Sequence, residues 1–360
     1  MNNSLLGESL LGESLLVQAG IKEIPLDKDG FLSPLYLSHD SDKDIDDIAL
    51  IGCWYGQDTL RLSSTMTALN WTLKSKPFPK IYIVEASKKE DKRFFSEVEN
   101  INYISRDIGK ESDGVWMKEG LWSIGAKEAI KNGAKKLVFI DLDCSFVHQN
   151  WVVKVSESLD NFDVISPHLA YYLSGQKEGI SIGVAPSIGY TLSIGSDKGH
   201  HGMSLGMTSE FFINKMNSCI PTFVYGGGDT FFWLSVQNIT PASPICRILP
   251  HIMTEEDCRG IVPKPKIGHG EQIIVHHPHG PMIDRHYIDR YVVVRECFPR
   301  FRDGVAYLAD GTPCFSDVRR GEVLLKTMKI IKDSGYRWLR KDARILCRNL
   351  LQEAGLELFN

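Results

Sequence analysis

The stretch LVFIDLDCSF, residues 137–146, decides the fold class, because an apolar run here ends in two acidic residues. The apolar residues predict a buried strand, and Asp141, Leu142 and Asp143 close it. Side chains of a strand alternate between its two faces, so the two carboxylates point the same way for as long as the strand continues. We therefore predict a strand over residues 136–143 with both acids at its carboxyl end.

Strands and helices alternate along the chain before this stretch. The predicted strands are IALIGC (48–53), KIYIVEAS (80–87) and INYISRD (101–107), and the predicted helices cover residues 59–75 and 116–133. This alternation indicates an α/β fold with a parallel sheet and helices on its faces, in which ligands bind at the carboxyl ends of the strands. Glu85, Asp107, Asp141 and Asp143 fall at such ends, so we expect several acidic side chains at one edge.

The composition is that of an ordinary globular protein. Of the 360 residues, 43% are hydrophobic and 24% are charged, and the net charge of -4 gives no global argument for binding nucleic acid. The sequence contains no apolar run of 18 residues and no secretory signal, so we expect no membrane span. The eight cysteines form no C-x-x-C pair, which disfavours structural zinc and fits reduced thiols in a cytoplasm.

Three segments are expected along the chain. Residues 1–45 form an N-terminal extension, in which LLGESLLGESLL repeats a five-residue unit that matches neither a helix nor a strand. Residues 46–310 form the main domain, and residues 311–360 form a basic, helical C-terminal cap.

The acidic pair indicates a metal site. Two carboxylates on one face repel each other unless a cation lies between them, and Mg²⁺ or Mn²⁺ often shares such ligands with substrate phosphates. We predict a metal and diphosphate site at Asp141 and Asp143; the alternative is a pair of solvated acids. The sequence DLDCS also resembles the D-x-D-x-T opening of haloacid-dehalogenase-type phosphatases, with Asp141 as nucleophile, although Ser145 departs from that pattern.

A glycine loop provides a candidate base. In YGGGDTFFW, residues 225–233, three glycines precede Asp229 and a predicted helix. A carboxylate at a helix N-terminus is kept ionised, and an ionised carboxylate beside an acceptor hydroxyl can act as a general base. The alternative is a simple helix cap.

Histidines and arginines follow the last apolar strand, IIV. The segment IIVHHPHGPMIDRHYIDRY, residues 273–291, contains them. Imidazole is a good ligand for a transition-type dication, so His276 or His279 could complete the coordination begun by Asp143. Arg285 and Arg290 could neutralise a departing diphosphate. The alternative for any single histidine is a surface or core residue without a role.

In this order, five pieces of the chain resemble GT-A glycosyltransferases related to family 2 and to the galactosyltransferase-like group, over roughly residues 47–310. The pieces are IYIVEAS, GLWSIGAKEAIKNGAKKLVFIDLDCSF, GHHGMSLGMTSEFF, YGGGDTFFW and HHPHGPMIDRHYIDRY. The last piece is similar to the ending of a branch common in phages and bacteria. The resemblance implies a Rossmann-like mixed sheet flanked by helices, with a helical C-terminal extension. It also implies metal-dependent transfer of a sugar from a nucleoside-diphosphate sugar, first of all a UDP-sugar, to a hydroxyl. One candidate base and no evident second nucleophile predict inversion of the anomeric carbon.

The resemblance also implies donor-side roles for particular residues. Glu85 would contact the nucleoside, with help from Arg61. Asp141 would touch the ribose or a bridging metal ion, and Asp143 would coordinate Mn²⁺ or Mg²⁺ directly. Arg285 would lie beside the diphosphate.

On the acceptor side, the resemblance implies that Asp229 is the base, and that His276 or His279 is a further metal ligand. The chain departs from the family pattern at two positions. Ser123 stands where the family often has an asparagine, and Gly228 stands where it has the glutamate of a Glu-Asp pair.

The acceptor is left open by the sequence. A glycan, a lipid-linked sugar, a protein and a modified pyrimidine in phage DNA are all candidates, and a base in a duplex would have to be flipped out. Basic residues near the C-terminus could contact DNA phosphates; the alternative is a solvated helix face. A protein that binds a nucleotide sugar without turnover is the alternative from a different class. The expected location is the cytoplasm of a bacterium or of a phage-infected host.

Overall fold

A computed structural model describes most of the chain. The described residues are 14, 15, 18, 19, 45–56, 58–173, 184–196, 199–220, 228–236, 264–277, 287–298, 304–334 and 340–359. Their strands are β1 Ile48–Tyr55, β2 Lys80–Ser87, β3 Asn102–Asp107, β4 Lys136–Ile140, β5 Cys144–Phe146, β6 Val164–Leu173, β7 Val184–Pro186, β8 Ser204–Thr208, β9 Ile267–His276, β10 Val305–Tyr307 and β11 Pro313–Phe315. Their helices are α1 Thr59–Thr72, α2 Lys118–Lys131, α3 Trp151–Leu159, α4 Ile188–Ser193, α5 Ser209–Asn214, α6 Gly228–Val236, α7 Tyr287–Cys297, α8 Val318–Asp333 and α9 Arg340–Glu353.

One mixed sheet organises the molecule. Its strands run in the order β3-β2-β1-β4-β8-β6-β9-β5, with β7 paired to β6, and β10 and β11 form a separate hairpin. β1 to β4 are parallel, as the alternation of strands and helices predicts. β8 is antiparallel to β4, and β5 is antiparallel to β9. The predicted class, a mixed sheet flanked by helices with a helical C-terminal extension, is confirmed.

Both faces of the sheet are covered by apolar side chains. In β2, Ile83 belongs to the cluster that includes Trp151 of α3, whereas the next residue, Val84, belongs to the cluster that includes Trp122 of α2. Both β2 residues are fully buried. Burial on both faces explains why residues 81–84 of this parallel strand, IYIV, are continuously apolar.

The C-terminal helices belong to the same core. Val293 of α7, Val323 of α8 and Cys347 of α9 lie in the apolar cluster of α2. Asp317 begins α8 as its N-cap, with a carboxylate that accepts the Arg320 N–H at 3.1 Å. Within the described ranges, none of the helices has an apolar run long enough to cross a membrane. The boundaries of the three expected segments stay a prediction, and most of residues 1–45 lie outside the described residues.

The acidic stretch itself differs from the prediction in one respect. β4 ends at Ile140, and a turn follows in which the Cys144 N–H donates to the Asp141 carbonyl at 2.9 Å. Leu142 lies over Gly52 of β1, where a Cβ would come within 2.1 Å of the Leu142 side chain. The prediction of one strand over residues 136–143 is therefore wrong, and the two acids do not share a strand face.

Candidate active site at the carboxyl end of β4

The turn after β4 places Asp143 beside the end of β9. Antiparallel pairing of β5 with β9 sets Cys144 opposite His276. As a result, Oδ1 of Asp143 lies 3.5 Å from Nε2 of His276, and Oδ2 lies 3.3 Å from Nε of Arg61 in α1. Asp143 is only 1% exposed, so its charge is balanced by neighbouring side chains more than by water.

These residues fit a divalent cation. Ligand atoms of Asp143, Cys144 and His276 all lie within 4.8 Å of one another. A carboxylate and an imidazole suit a transition-type dication such as Mn²⁺. Burial, followed by the charge of Asp143, raises the pKa of the Cys144 thiol well above its usual value. Because a metal binds the thiolate, Asp143 and His276 are the better ligands.

Asp141 lies outside that group and pairs with a residue that the sequence patterns did not single out. Its Oδ1 atom is 3.2 Å from Nζ of Lys118, the first residue of α2. The same ammonium lies 3.1 Å from Oδ2 of Asp229, at the start of α6. It also lies 4.9 Å from the centre of the Trp122 ring. One buried lysine therefore joins the acid after β4 to the candidate base.

The charge of Lys118 decides the protonation of Asp229. Burial works to raise the pKa of Asp229, but the Lys118 ammonium and the N–H of Thr230 outweigh burial and lower it from 3.8 to about 2. Asp229 is thus ionised at neutral pH, as its expected role as a base requires. Burial alone would lower the pKa of Lys118, yet Asp141 and Asp229 raise it well above its usual value.

Glu119, next to Lys118, is a second residue that the sequence patterns did not single out. It is fully buried, and neither carboxylate oxygen has a hydrogen-bond partner among the described residues. Burial raises its pKa from 4.5 to about 7; Lys118 opposes this effect, and Asp229 adds to it.

The loop before β8 lies close to Asp229. His200 packs against Tyr171 of β6, with ring centroids 4.4 Å apart, and its Nδ1 accepts the N–H of Gly202 at 3.1 Å. A Cβ at Gly202 would lie 3.0 Å from the His200 ring and 3.2 Å from Oδ2 of Asp229. Burial lowers the pKa of His200, so this imidazole is neutral beside the carboxylate. The GHHGM segment, residues 199–203, thus lies against the carboxylate of the candidate base.

The carboxylate of Glu85 is enclosed by hydrogen-bond donors of the protein itself. It is fully buried, and its oxygens accept the N–H groups of Phe94 and Phe95 at 2.8 and 3.2 Å and the Tyr103 hydroxyl at 3.1 Å. The loop that follows β2 thus folds over the carboxylate, and the expected contact between Glu85 and a nucleoside stays a prediction. Arg61, expected to assist Glu85, contacts Asp143 instead.

Some of the predicted site residues cannot be placed. His279 and Arg285 lie outside the described residues, and so does the side chain of Arg290. Their roles stay predictions. Ser123 has a structural contact, since its buried hydroxyl oxygen accepts the N–H of Ile220 at 2.8 Å.

Comparison with known proteins gives matches in structure only. No protein-family model matches the chain, and no curated protein matches it either. The structure is similar to S. aureus TarS 1-349 in complex with UDP-GlcNAc, with 12% identity, coverage of 69% of this chain and 66% of that one, and a TM-score of 0.38. It is also similar to GalNAc-T7 with UDP, GalNAc and Mn²⁺, with 9% identity, coverage of 99% and 64%, and a TM-score of 0.38.

The chain spans just under two thirds of each of these proteins, at 66% and 64%. At such low identity and TM-scores the likeness concerns the fold alone, and the site is assigned from its own contacts. The phage and bacterial branch stays a prediction.

Proposed function

We propose that this protein is a metal-dependent glycosyltransferase that moves a sugar from a nucleoside-diphosphate sugar to an acceptor hydroxyl. The observation that carries the proposal is the meeting of two pairs at the carboxyl end of the parallel strands. Asp143 and His276 form the first pair, and Lys118 and Asp229 form the second. The first pair suits a metal ion, and the second holds an ionised carboxylate ready to accept a proton.

The donor side is built around Asp143 and His276. These two side chains would hold a divalent ion, Mn²⁺ or Mg²⁺, which would supply positive charge to a departing diphosphate. Arg61 fixes the second oxygen of Asp143 at 3.3 Å, so the first oxygen faces the imidazole. Arg61 also brings a permanent positive charge to the side on which a diphosphate would lie.

The acceptor side is built around Asp229. As the acceptor oxygen bonds to the anomeric carbon, the bond from that carbon to the diphosphate breaks, and its electron pair leaves with the diphosphate. The acceptor proton passes to Asp229. Attack from the face opposite the leaving group inverts the anomeric carbon. This stereochemistry is proposed because Asp229 is ionised and is the one candidate base that the sequence motifs offer, with no evident second nucleophile among them.

The identity of the substrates stays a prediction. UDP-GlcNAc is bound in one similar structure, and UDP with GalNAc in the other. UDP-sugars are therefore the donors to test first. A glycan and a modified DNA base are both retained as acceptors. Binding of the donor without turnover, phosphomonoester hydrolysis and a cytoplasmic location also remain to be tested.

The test is a donor screen. Purified protein is incubated with UDP-, GDP- and dTDP-sugars in Mn²⁺, Mg²⁺ or EDTA, and release of the nucleoside diphosphate is measured with glycan and DNA acceptors. Release in Mn²⁺ and loss of release in EDTA are expected. Asp143→Asn should abolish release, whereas Asp342→Asn, an exposed aspartate in the first turn of α9, should not.

Two results would reject the proposal. One is the absence of nucleoside diphosphate release from every donor, with donor binding detected by calorimetry, which supports a binding protein. The other is release of inorganic phosphate from simple phosphomonoesters with Asp141 required, which supports the phosphatase alternative.

A further inference from the structure

Lys118 occupies a position between the two halves of the candidate site. It is only 6% exposed, and its ammonium lies 3.2 Å from Asp141 and 3.1 Å from Asp229. The face of Trp122 covers the same ammonium at 4.9 Å. A buried ammonium has three N–H groups to satisfy, and here two carboxylates and one ring surround it.

A second buried lysine shows what a purely structural pair looks like in this chain. Lys136, at the start of β4, is 9% exposed and lies 2.8 Å from the hydroxyl of Ser156 in α3. It also pairs with Asp160, immediately after α3. These partners lie at the opposite end of β4 from the site. Lys118 differs because both of its carboxylate partners belong to the proposed active site.

We propose that Lys118 is a positioning residue for sugar transfer, which fixes the carboxylate of Asp229 and ties it to Asp141. This inference rests on the proposed function. Oδ2 of Asp229 faces Lys118, and Oδ1 accepts the N–H of Thr230 at 2.6 Å. With both oxygens held, the direction from which an acceptor hydroxyl can approach is set before the acceptor binds. Such preorganisation lowers the entropic cost of the reaction.

The ammonium of Lys118 keeps a counter-ion when Asp229 is protonated, because it is shared with Asp141. When Asp229 takes the acceptor proton, it loses its negative charge. An ammonium paired with Asp229 alone would then be buried without a counter-ion, which is costly. Lys118 still faces Asp141 at 3.2 Å, so its charge stays balanced after the proton has moved. The arrangement therefore suits a carboxylate that changes charge during turnover.

The test compares substitutions at the two buried lysines. Lys118→Met is expected to lower kcat by about 100-fold or more, while KM for the donor changes by less than about threefold, because Asp143, His276 and Arg61 are untouched. Lys118→Arg keeps the charge and should recover at least about tenfold of that loss. Lys136→Met is expected to lower the melting temperature and leave kcat within about threefold of the wild type.

A double substitution separates positioning from general destabilisation. If Lys118 acts through Asp229, adding Lys118→Met to Asp229→Asn should lower kcat by less than about twofold further. A double variant whose loss of kcat equals the product of the two single losses would overturn the inference. A Lys118→Met variant with wild-type kcat would overturn it as well. If Lys118→Met does not fold, Lys118→Arg combined with Asp229→Asn answers the same question. A wild-type protein that transfers no sugar would instead overturn the proposed function itself.

Discussion

Replacing Glu119 by glutamine should make the protein more stable at alkaline pH. Glu119 is fully buried without a hydrogen-bond partner among the described residues, and burial raises its pKa from 4.5 to about 7. Below the pKa that Glu119 has in the unfolded chain, its carboxyl is neutral in both states and does not lower the free energy of unfolding. As the pH rises through the folded pKa, ionisation favours the unfolded state, because only there is the charge fully hydrated. Glutamine has nearly the same shape and no charge to bury.

The magnitude follows from the two pKa values. The difference between 4.5 and about 7, at about 1.36 kcal/mol per pKa unit, corresponds to about 3 kcal/mol once the carboxylate is ionised in both states. Part of this cost is already present at pH 5. Between about pH 5 and pH 8.5 the stability of Glu119→Gln relative to the wild type should therefore rise by about 2.5 kcal/mol.

The assay is urea unfolding followed by tryptophan fluorescence, at several pH values across this range. The chain contains seven tryptophans, which supply the signal. Glu128→Gln serves as the control, because it makes the same substitution on the same helix at a half-exposed position. A difference between Glu119→Gln and the wild type that stays constant with pH would refute the reasoning.

Three further predictions test other parts of the structure. Asp143→Asn should weaken Mn²⁺ binding by at least about tenfold in calorimetry, and unchanged affinity would remove Asp143 as a ligand. Gly52→Ala should cost about 1–3 kcal/mol in denaturant unfolding, because its Cβ would lie 2.1 Å from Leu142, and Leu142→Ala should relieve that cost rather than add to it. Cys297 and Cys347 are buried with sulfurs 3.5 Å apart, so treatment with diamide should link them, and non-reduced peptide mapping without that linkage would contradict this.

The regular part of the fold follows from local patterns. The stretch IYIV of β2, residues 81–84, is continuously apolar, and the structure buries both faces of the strand, as expected for a parallel strand covered on both sides. The residue at which β4 ends could not be predicted from the local pattern. Leu142 continues the apolar pattern beyond Ile140, but it turns away to pack over Gly52. That contact depends on the neighbouring strand and leaves no trace in the local sequence.

The candidate site was predicted in part. The neighbourhood of Asp143 and His276 follows from the order of the motifs, since Asp143 follows β4 and His276 ends β9 in the same sheet. Lys118 was missed because a lysine that begins a helix usually faces water; its burial depends on Asp229, 111 residues away. The role of Glu85 at a nucleoside was implied by the family resemblance and stays a prediction. In the structure its carboxylate accepts backbone N–H groups of a loop. A pattern of side chains in the sequence does not predict such contacts.

The three-residue strand β5 has a consequence for how the site comes into being. Asp143 meets His276 only because this short segment pairs with β9, a contact between parts of the chain more than a hundred residues apart. Closing so long a loop costs conformational entropy, and only three residues of β5 pair with β9, so we expect this pairing to form late in folding. A cation bound by both side chains would stabilise the pairing of β5 with β9. It would therefore slow the exchange of the amide hydrogens in these two strands.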